Sequence, residues 1–527
     1  MSHDIYSPLG EKRCRIAIVV LILLYLGAAA MGWPQAATAL IQQQSHHDHV
    51  EPAPGTTDEE SDVPSEEAVS SEKPTPPPVF AIIPFFLLLG AIALLPLIPA
   101  TEHWWESNRN RFLVAVGLGL LTLIYYTFLH RHPVEQHFVW HEQIPPSSPI
   151  GWNVSWTVLQ NALLGEYLPF IVLLFSLYTI CGGIRISGDL PAHPGTNTMF
   201  MLIGGSLASF IGTTGAAMVL IRPLLETNSE RRHVAHTVVF FIFIVCNCGG
   251  CLLPIGDPPL FLGYLEGVHF LWTFSLWKEW LFVNASLLAI YYLWDRFYAY
   301  PRENITDVVR DESRVRKLDF QGLGLNLPLL LGVVLAVALL DPGKPIPGTD
   351  WHAWLWLREI VQLSLVAISL FAGAEIIRRE NRFNFTAIIE VAALFIGIFV
   401  CMQPALQILD VRGASLGLSS PAQFFWATGV LSSVLDNAPT YLVFFKVAQT
   451  LPAEGATEAG VAISLLTGIS LGAVMMGAMT YIGNGPNMMV KSIAETSGIK
   501  MPSFFGYMLY SCLILLPLLL VMQLLFV

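Results

Sequence analysis

Pro254-Ile255-Gly256-Asp257-Pro258-Pro259 interrupts an apolar region, residues 198 to 264, that would otherwise run on as helix. Proline removes a backbone donor and clashes with the preceding turn, so three prolines around a glycine and an acid break the helix and free its carbonyls. Further along, Thr480-Tyr481-Ile482-Gly483-Asn484-Gly485-Pro486-Asn487 breaks a second apolar region, 423 to 495, in the same way. Each break is preceded by a polar tip: Gly204-Gly205-Ser206 to Gly212-Thr213-Thr214-Gly215 before the first, and Ser432-Ser433-Val434-Leu435-Asp436-Asn437-Ala438-Pro439-Thr440 before the second. Thr213 to Asp257 is 44 residues and Asp436 to Asn484 is 48, a spacing that argues for an internal repeat.

The setting of these breaks is a membrane. The chain has 527 residues, 54% hydrophobic and 13% charged, with a mean hydropathy of +0.59. A soluble globular protein carries roughly 25% charged residues, so a single soluble domain is excluded. Apolar segments fall at 80 to 99, 112 to 129, 164 to 184, 198 to 264 and 275 to 295, then at 323 to 340, 355 to 377, 384 to 402, 423 to 495 and 503 to 526. Most approach the roughly 20 residues that span a bilayer. Lys and Arg cluster in cytoplasmic loops. With the N-terminus cytoplasmic, and with 198 to 221 and 423 to 445 each dipping in and returning, Arg302, Arg310, Arg314, Arg316, Lys317, Arg378, Arg379 and Arg382 all fall inside. Treating either dip as a full span would put one of these clusters outside. Each hairpin leg is read as ten to fourteen residues, too short to cross, and such loops persist at membrane depth only where they line a protein cavity.

The expected fold is therefore an all-α polytopic membrane protein of two inverted repeats, each with three spans, a re-entrant hairpin, a broken helix and a closing span, as in many secondary transporters. Along the chain, 1–44 is read as a signal anchor or signal peptide, 80–295 as the first repeat, 296–322 as a basic cytoplasmic loop and 323–527 as the second repeat. Ala37-Thr38-Ala39 would permit cleavage of residues 1–39. Residues 45–79 hold nine carboxylates against Lys73, so a net −8 of the chain's −12 lies there. With seven prolines and the run His46-His47-Asp48-His49, this segment is read as a disordered extracytoplasmic linker. The seven scattered cysteines suit small membrane-helix residues better than a disulfide framework or a metal centre. Trp104, Trp105, Trp272, Trp277, Trp351, Trp354 and Trp356 sit at expected span ends and read as an aromatic belt.

Freed carbonyls with Asn and Thr side chains are hard oxygen ligands suited to a small cation. Asp257 and Asp436 sharpen this reading, because a carboxylate in the membrane is costly unless it is protonated, paired or holding an ion. One group that trades a proton for Na+ is the simplest physical route to exchange. Glu166 lies 47 residues before Thr213 and Glu390 lies 46 before Asp436, so these acids read either as symmetry-related proton carriers or as paired structural groups. Arg222, at the exit of the first hairpin, reads as a carboxylate partner or an interfacial anchor.

Gly212-Thr213-Thr214-Gly215-Ala216-Ala217-Met218, the run Pro254 to Gly263, Gly267-Val268-His269-Phe270-Leu271-Trp272-Thr273 and Ser433 to Thr440 resemble NhaD-type sodium/proton antiporters of the ion transporter superfamily, over residues 80 to 527. That superfamily also holds citrate and dicarboxylate carriers and arsenite permeases. The resemblance implies a bacterial inner-membrane carrier, a homodimer, in which scaffold spans hold a moving domain of hairpins and broken helices. It implies ion contacts at Thr213, Thr214, Asn247, Asp257, Asp436, Asn437, Asn484 and Asn487, with Na+ at Asp257 and Asp436. No cofactor and no nucleic acid is expected; the partners are Na+ or Li+, H+ and the bilayer. The dicarboxylate branch has Ser-Asn-Thr at its hairpin tips, where this chain has Gly-Thr-Thr and Leu-Asp-Asn, and an acid at a tip repels an anionic substrate.

Three other readings compete. A Na+-coupled citrate or dicarboxylate symporter would use the same breaks, with half-helix N-termini facing the anion. An intramembrane aspartyl protease would need Gly-x-Gly-Asp, but Pro254 stands where its first glycine should be. A sensor would need a signalling domain, and the loop 296–322 is too short to fold alone.

Overall fold

A computed structural model describes residues 8–48, 75–138, 142–452 and 455–527. Most of the acidic linker read at 45–79 lies outside the described residues. Its first four residues, 45–48, are helical.

The chain is mostly helical. Its principal helices among the described residues are α1 (Pro8–Ala30), α2 (Trp33–Asp48), α3 (Ile83–Leu94), α4 (Asn108–Phe128), α5 (Trp152–Cys181), α6 (Pro194–Ile211), α7 (Thr213–Thr227), α8 (Ala235–Ile244), α9 (Pro258–Leu265), α10 (Trp277–Trp294), α11 (Leu323–Leu339), α12 (Leu357–Ala372), α13 (Thr386–Arg412), α14 (Pro421–Val434), α15 (Asn437–Gln449), α16 (Ile463–Met476), α17 (Gly485–Thr496) and α18 (Phe504–Phe526). Among the described residues, five helical stretches are long and apolar enough to cross a membrane: Gly10–Ala30, Asn108–Phe128, Trp152–Cys181, Thr386–Leu416 and Phe504–Phe526. Three two-stranded ribbons are the only named sheets among the described residues. One of them pairs Arg185–Asp189 with Arg316–Gln321, fastening the loop before α6 to the entrance of α11.

Several boundaries differ from the sequence reading. α5 begins at Trp152, twelve residues before the apolar run at 164, because Trp152–Gln160 is already helical despite Asn153, Ser155, Thr157 and Gln160, and a π-turn at Asn161–Tyr167 carries it on without a break. α13 runs to Arg412, ten residues beyond the expected end, with Pro404 accommodated inside it. The legs of the first hairpin, α6 and α7, have 18 and 15 residues, longer than the ten to fourteen expected. At 1.5 Å per residue α6 reaches about 27 Å. Apolar residues with Pro194 at the first turn give the helix a firm start and nothing that stops it before Gly212. Trp105 and Trp272 are buried, so they pack inside the protein instead of joining an aromatic belt.

The two halves show the same local order. α6 and α7 pack against each other across Gly212, whose φ of +78° makes the turn at low cost only for glycine. α14 and α15 do so across Leu435 and Asp436. α8 stops at Ile244 and hands over to a 3-10 turn, Cys248–Cys251, before α9; α16 stops at Met476 and hands over to the turn Gly477–Met479 before α17. α7 packs on α17, and α9 packs on α15, so each half reaches into the other. One continuous hydrophobic core runs through both halves.

Candidate functional site

The N-termini of four helices converge at this crossing. α7 opens at Thr213, α15 at Asn437, and α9 and α17 open directly after Asp257 and Asn484. Proline in the first turn of α9 and α17 fixes where those helices start. The extended backbone of Asp257 (φ −144°, ψ 143°) and of Asn484 (φ −153°, ψ 137°) is nearly the same in the two breaks.

Asp257 is the centre, 1% exposed. The Thr213 hydroxyl donates to its Oδ1 at 3.0 Å, the Asn484 amide donates to the same oxygen at 3.1 Å, and the Asn437 amide donates to Oδ2 at 2.7 Å. All three donors are neutral. The site thus gathers the first residue of α7, the first of α15 and the caps of α9 and α17. The Thr213 N–H also donates to the Gly256 carbonyl at 2.9 Å, which anchors the first hairpin tip to the first break.

Behind this layer lies a second set of amides. Asn247 donates to Asn487 Oδ1 at 2.8 Å and to the Ile242 carbonyl at 2.9 Å, while Asn487 donates to the carbonyls of Gly477 and Thr480. Asn484 also reaches the Cys246 carbonyl at 3.1 Å and Asn247 Oδ1 at 3.2 Å. These contacts satisfy carbonyls that the two breaks release. One acceptor is left over: Asn437 Oδ1 is buried and has no hydrogen-bond partner.

Close backbone approach makes this geometry possible. A Cβ on Gly256 would stand 2.3 Å from the Gly250 carbonyl oxygen, and one on Gly483 would stand 2.7 Å from the Gly477 carbonyl oxygen. Six residues separate the pair in each half.

Of the residues singled out from sequence, Thr213, Asn247, Asp257, Asn437, Asn484 and Asn487 are joined in one hydrogen-bonded network. Thr214 and Asp436 stand outside it. Thr214 is partly exposed. Asp436 is also partly exposed, and its carboxylate caps its own helix, accepting from the Ala438 N–H at 3.1 Å. That is the ordinary work of an aspartate at an N-cap.

The two matched acids sit in unlike surroundings. Glu166, in the π-turn of α5, accepts from Gln403 at 3.2 Å, and its other oxygen is buried without a partner. Glu390 forms an ion pair with Arg111 at 2.6 Å and keeps 39% of its side chain exposed. Two serines inside the polar tips were given no role in the sequence reading. The Ser209 hydroxyl donates to the Gly249 carbonyl at 2.6 Å and accepts from the Leu252 N–H, and Ser432 donates to the Ala473 carbonyl at 2.7 Å. Each lies four residues before Thr213 or Asp436, a shared offset that could have marked them.

A family model described as putative citrate transport matches residues 121–527. An uncharacterized transporter of Schizosaccharomyces pombe is 23% identical over 423 residues, covering 69% of this chain and 47% of that protein. The chain therefore spans about half the length of that relative.

Proposed function

The chain belongs to the putative citrate transport family, and on the premise that it is a multi-pass membrane transporter we propose that it exchanges Na+ or Li+ for H+ by alternating access, as NhaD-type antiporters do. One observation carries the reading. Asp257 is a buried carboxylate held only by neutral donors, and beside it Asn437 presents a buried oxygen without a donor of its own. An acid so placed is stable when it binds a proton or a cation. Asn437 Oδ1 supplies a second hard oxygen for the cation, and Thr213 Oγ1 a third. Cation and proton then compete for the same carboxylate, which couples the two flows.

In this reading α6–α7 and α14–α15 are re-entrant hairpins, and the halves 80–295 and 323–527 are inverted repeats on either side of the cytoplasmic loop 296–322. Loop charge supports a cytoplasmic N-terminus if residues 1–39 are retained. The carrier is a homodimer in the bacterial inner membrane. Asp436 is the less direct of the two acids: as a helix cap it shapes the tip that delivers Asn437, and Asp436→Asn tells whether it also carries charge.

A second reading has its own support. Four helix N-termini converge on the site, and such ends favour an anion. The family description names citrate. A Na+-coupled carboxylate symporter would place substrate against those ends, but Asp257 already occupies them with a fixed negative charge.

The deciding experiment is a pH-gradient assay in everted vesicles from cells without antiporters, adding Na+, Li+, K+ and citrate in turn. Collapse of the gradient by Na+ or Li+, lost in Asp257→Asn with the protein still folded, is the expected result. Silence toward cations together with Na+-dependent citrate uptake in right-side-out vesicles would replace exchange with symport.

A further inference from the structure

Each hairpin carries a cation nine residues past the residue that opens its second leg: Arg222 after Thr213 on α7, and Lys446 after Asn437 on α15. The two charges are answered differently. Lys446 Nζ lies 2.7 Å from a carboxylate oxygen of Glu266, at the end of α9, so its charge is met inside the protein. Arg222 is partly buried, and among the described residues its guanidinium has neither an ion pair nor a hydrogen bond. The carboxylate partner read for it from sequence is absent there.

What surrounds Arg222 electrostatically is two further arginines, Arg382 and Arg185, with the Tyr178 hydroxyl. The fold gathers them. α7 packs on α5 and on the strand Arg185–Asp189. Met218, one turn before Arg222, packs against the small apolar cluster of Tyr178, Phe383 and Ile388. Asn381 Nδ2 donates to the Gly182 carbonyl at 3.0 Å and to the Ile184 carbonyl at 2.8 Å, and the Tyr178 hydroxyl donates to the Asn384 carbonyl at 2.8 Å. These bonds wrap residues 381–384 around the end of α5 and bring Arg382 beside Arg185. Arg382 holds a left-handed φ of +48°, which a residue other than glycine keeps only where its surroundings enforce it. The nearest acids are already committed: Glu380 is bound to Arg185, and Glu226, one turn past Arg222, is bound to Arg316 at 2.9 Å.

We propose that Arg222, Arg382 and Arg185 hold a phosphate oxyanion, either free phosphate or the headgroup of an anionic lipid, on the face that loop charge assigns to the cytoplasm. A preference for positive loops accounts for Arg185 and Arg382 but not for Arg222, which sits inside a hairpin leg. A guanidinium taken out of water without a counterion loses hydration that nothing repays. Guanidinium groups recognise phosphate through paired N–H donors, and three of them from separate elements can surround one such group. The bound anion joins α7 to the loop 381–385 and so restrains the first hairpin, whereas the second is tied to α9 by the chain's own Glu266. The site is separate from the Asp257 network and stands whether the transported species is a cation or a carboxylate.

The test is binding of radiolabelled inorganic phosphate to the full chain in phosphatidylcholine nanodiscs, at constant ionic strength. Saturable binding is expected, weakened about tenfold or more by Arg222→Gln and by Arg382→Gln, since each removes charged hydrogen bonds. Arg222→Lys should recover part of the loss, and Lys446→Gln should change nothing. Thermal midpoints check that each variant is folded, and Arg382→Gln serves if Arg222→Gln is not. Phosphate binding that persists in phosphatidylglycerol nanodiscs assigns the site to free phosphate. Its loss there, with phosphatidylglycerol retained in native mass spectra only when Arg222 is present, assigns it to the headgroup. No phosphate binding together with no Arg222-dependent lipid retention overturns the proposal. Equal weakening by Lys446→Gln also overturns it, because attraction by net charge alone would then explain the binding. Citrate bound more tightly than phosphate at the same arginines overturns the phosphate assignment.

Discussion

Asp257 and Asp295 are both buried carboxylates, 1% and 0% exposed, yet their partners differ in kind. Asp295 receives Arg231 through both guanidinium nitrogens and His236 Nε2 at 3.1 Å, and Arg231 reaches on to Glu303 at 3.4 Å. Glu303 in turn accepts from the backbone N–H groups of Arg232 and His233, each at 2.9 Å. This cluster locks the loop between α7 and α8 to the end of α10. Arg231 bridges the two carboxylates, and His236 and backbone N–H groups complete their hydrogen bonds. Asp257 has three neutral donors and no cation. A buried acid paired with an arginine holds structure, whereas a buried acid with only neutral donors keeps a place for a cation.

The sharpest way to break this comparison is to neutralise both acids' environments in turn. Asp257→Asn should remove exchange altogether, read as loss of the Na+-induced collapse of the pH gradient, while leaving the thermal midpoint in detergent unchanged or raised. Retained exchange in a folded Asp257→Asn protein would falsify the assignment. Arg231→Gln should do the reverse. It strands Asp295 and Glu303 in the interior and should cost about 3–5 kcal/mol of stability, read as a lower midpoint and poor yield. Protein that does form should still exchange ions.

Asp436 separates capping from charge. Asp436→Ala should cost about 1 kcal/mol through the lost cap, and Asp436→Asn, an equally good cap, almost nothing. If transport survives in Asp436→Asn, the carboxylate's role is to shape the second tip; if transport fails in both, the acid takes part in coupling. The smallest effect belongs to Glu390. Its pair with Arg111 is partly exposed, so Glu390→Gln should change stability by less than about 1 kcal/mol and leave the pH profile of exchange in place. Glu166→Gln, at a buried site, should shift that profile, and identical profiles in the two variants would erase the distinction between them.

Much of the site was legible because helix breakers are loud in apolar sequence. Gly256-Asp257-Pro258 and Gly483-Asn484-Gly485-Pro486 announced themselves, and Thr213 and Asn437 followed from the polar tips. What sequence could not weigh was competition for a carboxylate. Asp436 and Asp257 look alike on paper, but only the folded chain shows one spent on the Ala438 N–H and the other surrounded by side-chain amides. The span limits erred where polar residues continue a helix, as at Trp152–Gln160, since hydropathy marks apolar length and not hydrogen-bonded length. The Arg231 cluster was invisible because its members lie far apart in sequence, 64 residues for Arg231 and Asp295 and 70 for His233 and Glu303, in segments that carry no pattern of their own.

Gly256 and Gly483 give the two halves a shared vulnerability. A single methyl group at Gly256 would lie 2.3 Å from a carbonyl oxygen across the break, and one at Gly483 would lie 2.7 Å from its counterpart. No rotamer relieves such a clash, because the obstacle is backbone on both sides. Any substitution of glycine at either place meets a wall of backbone, so a saturation library should read as empty at both positions, 227 residues apart.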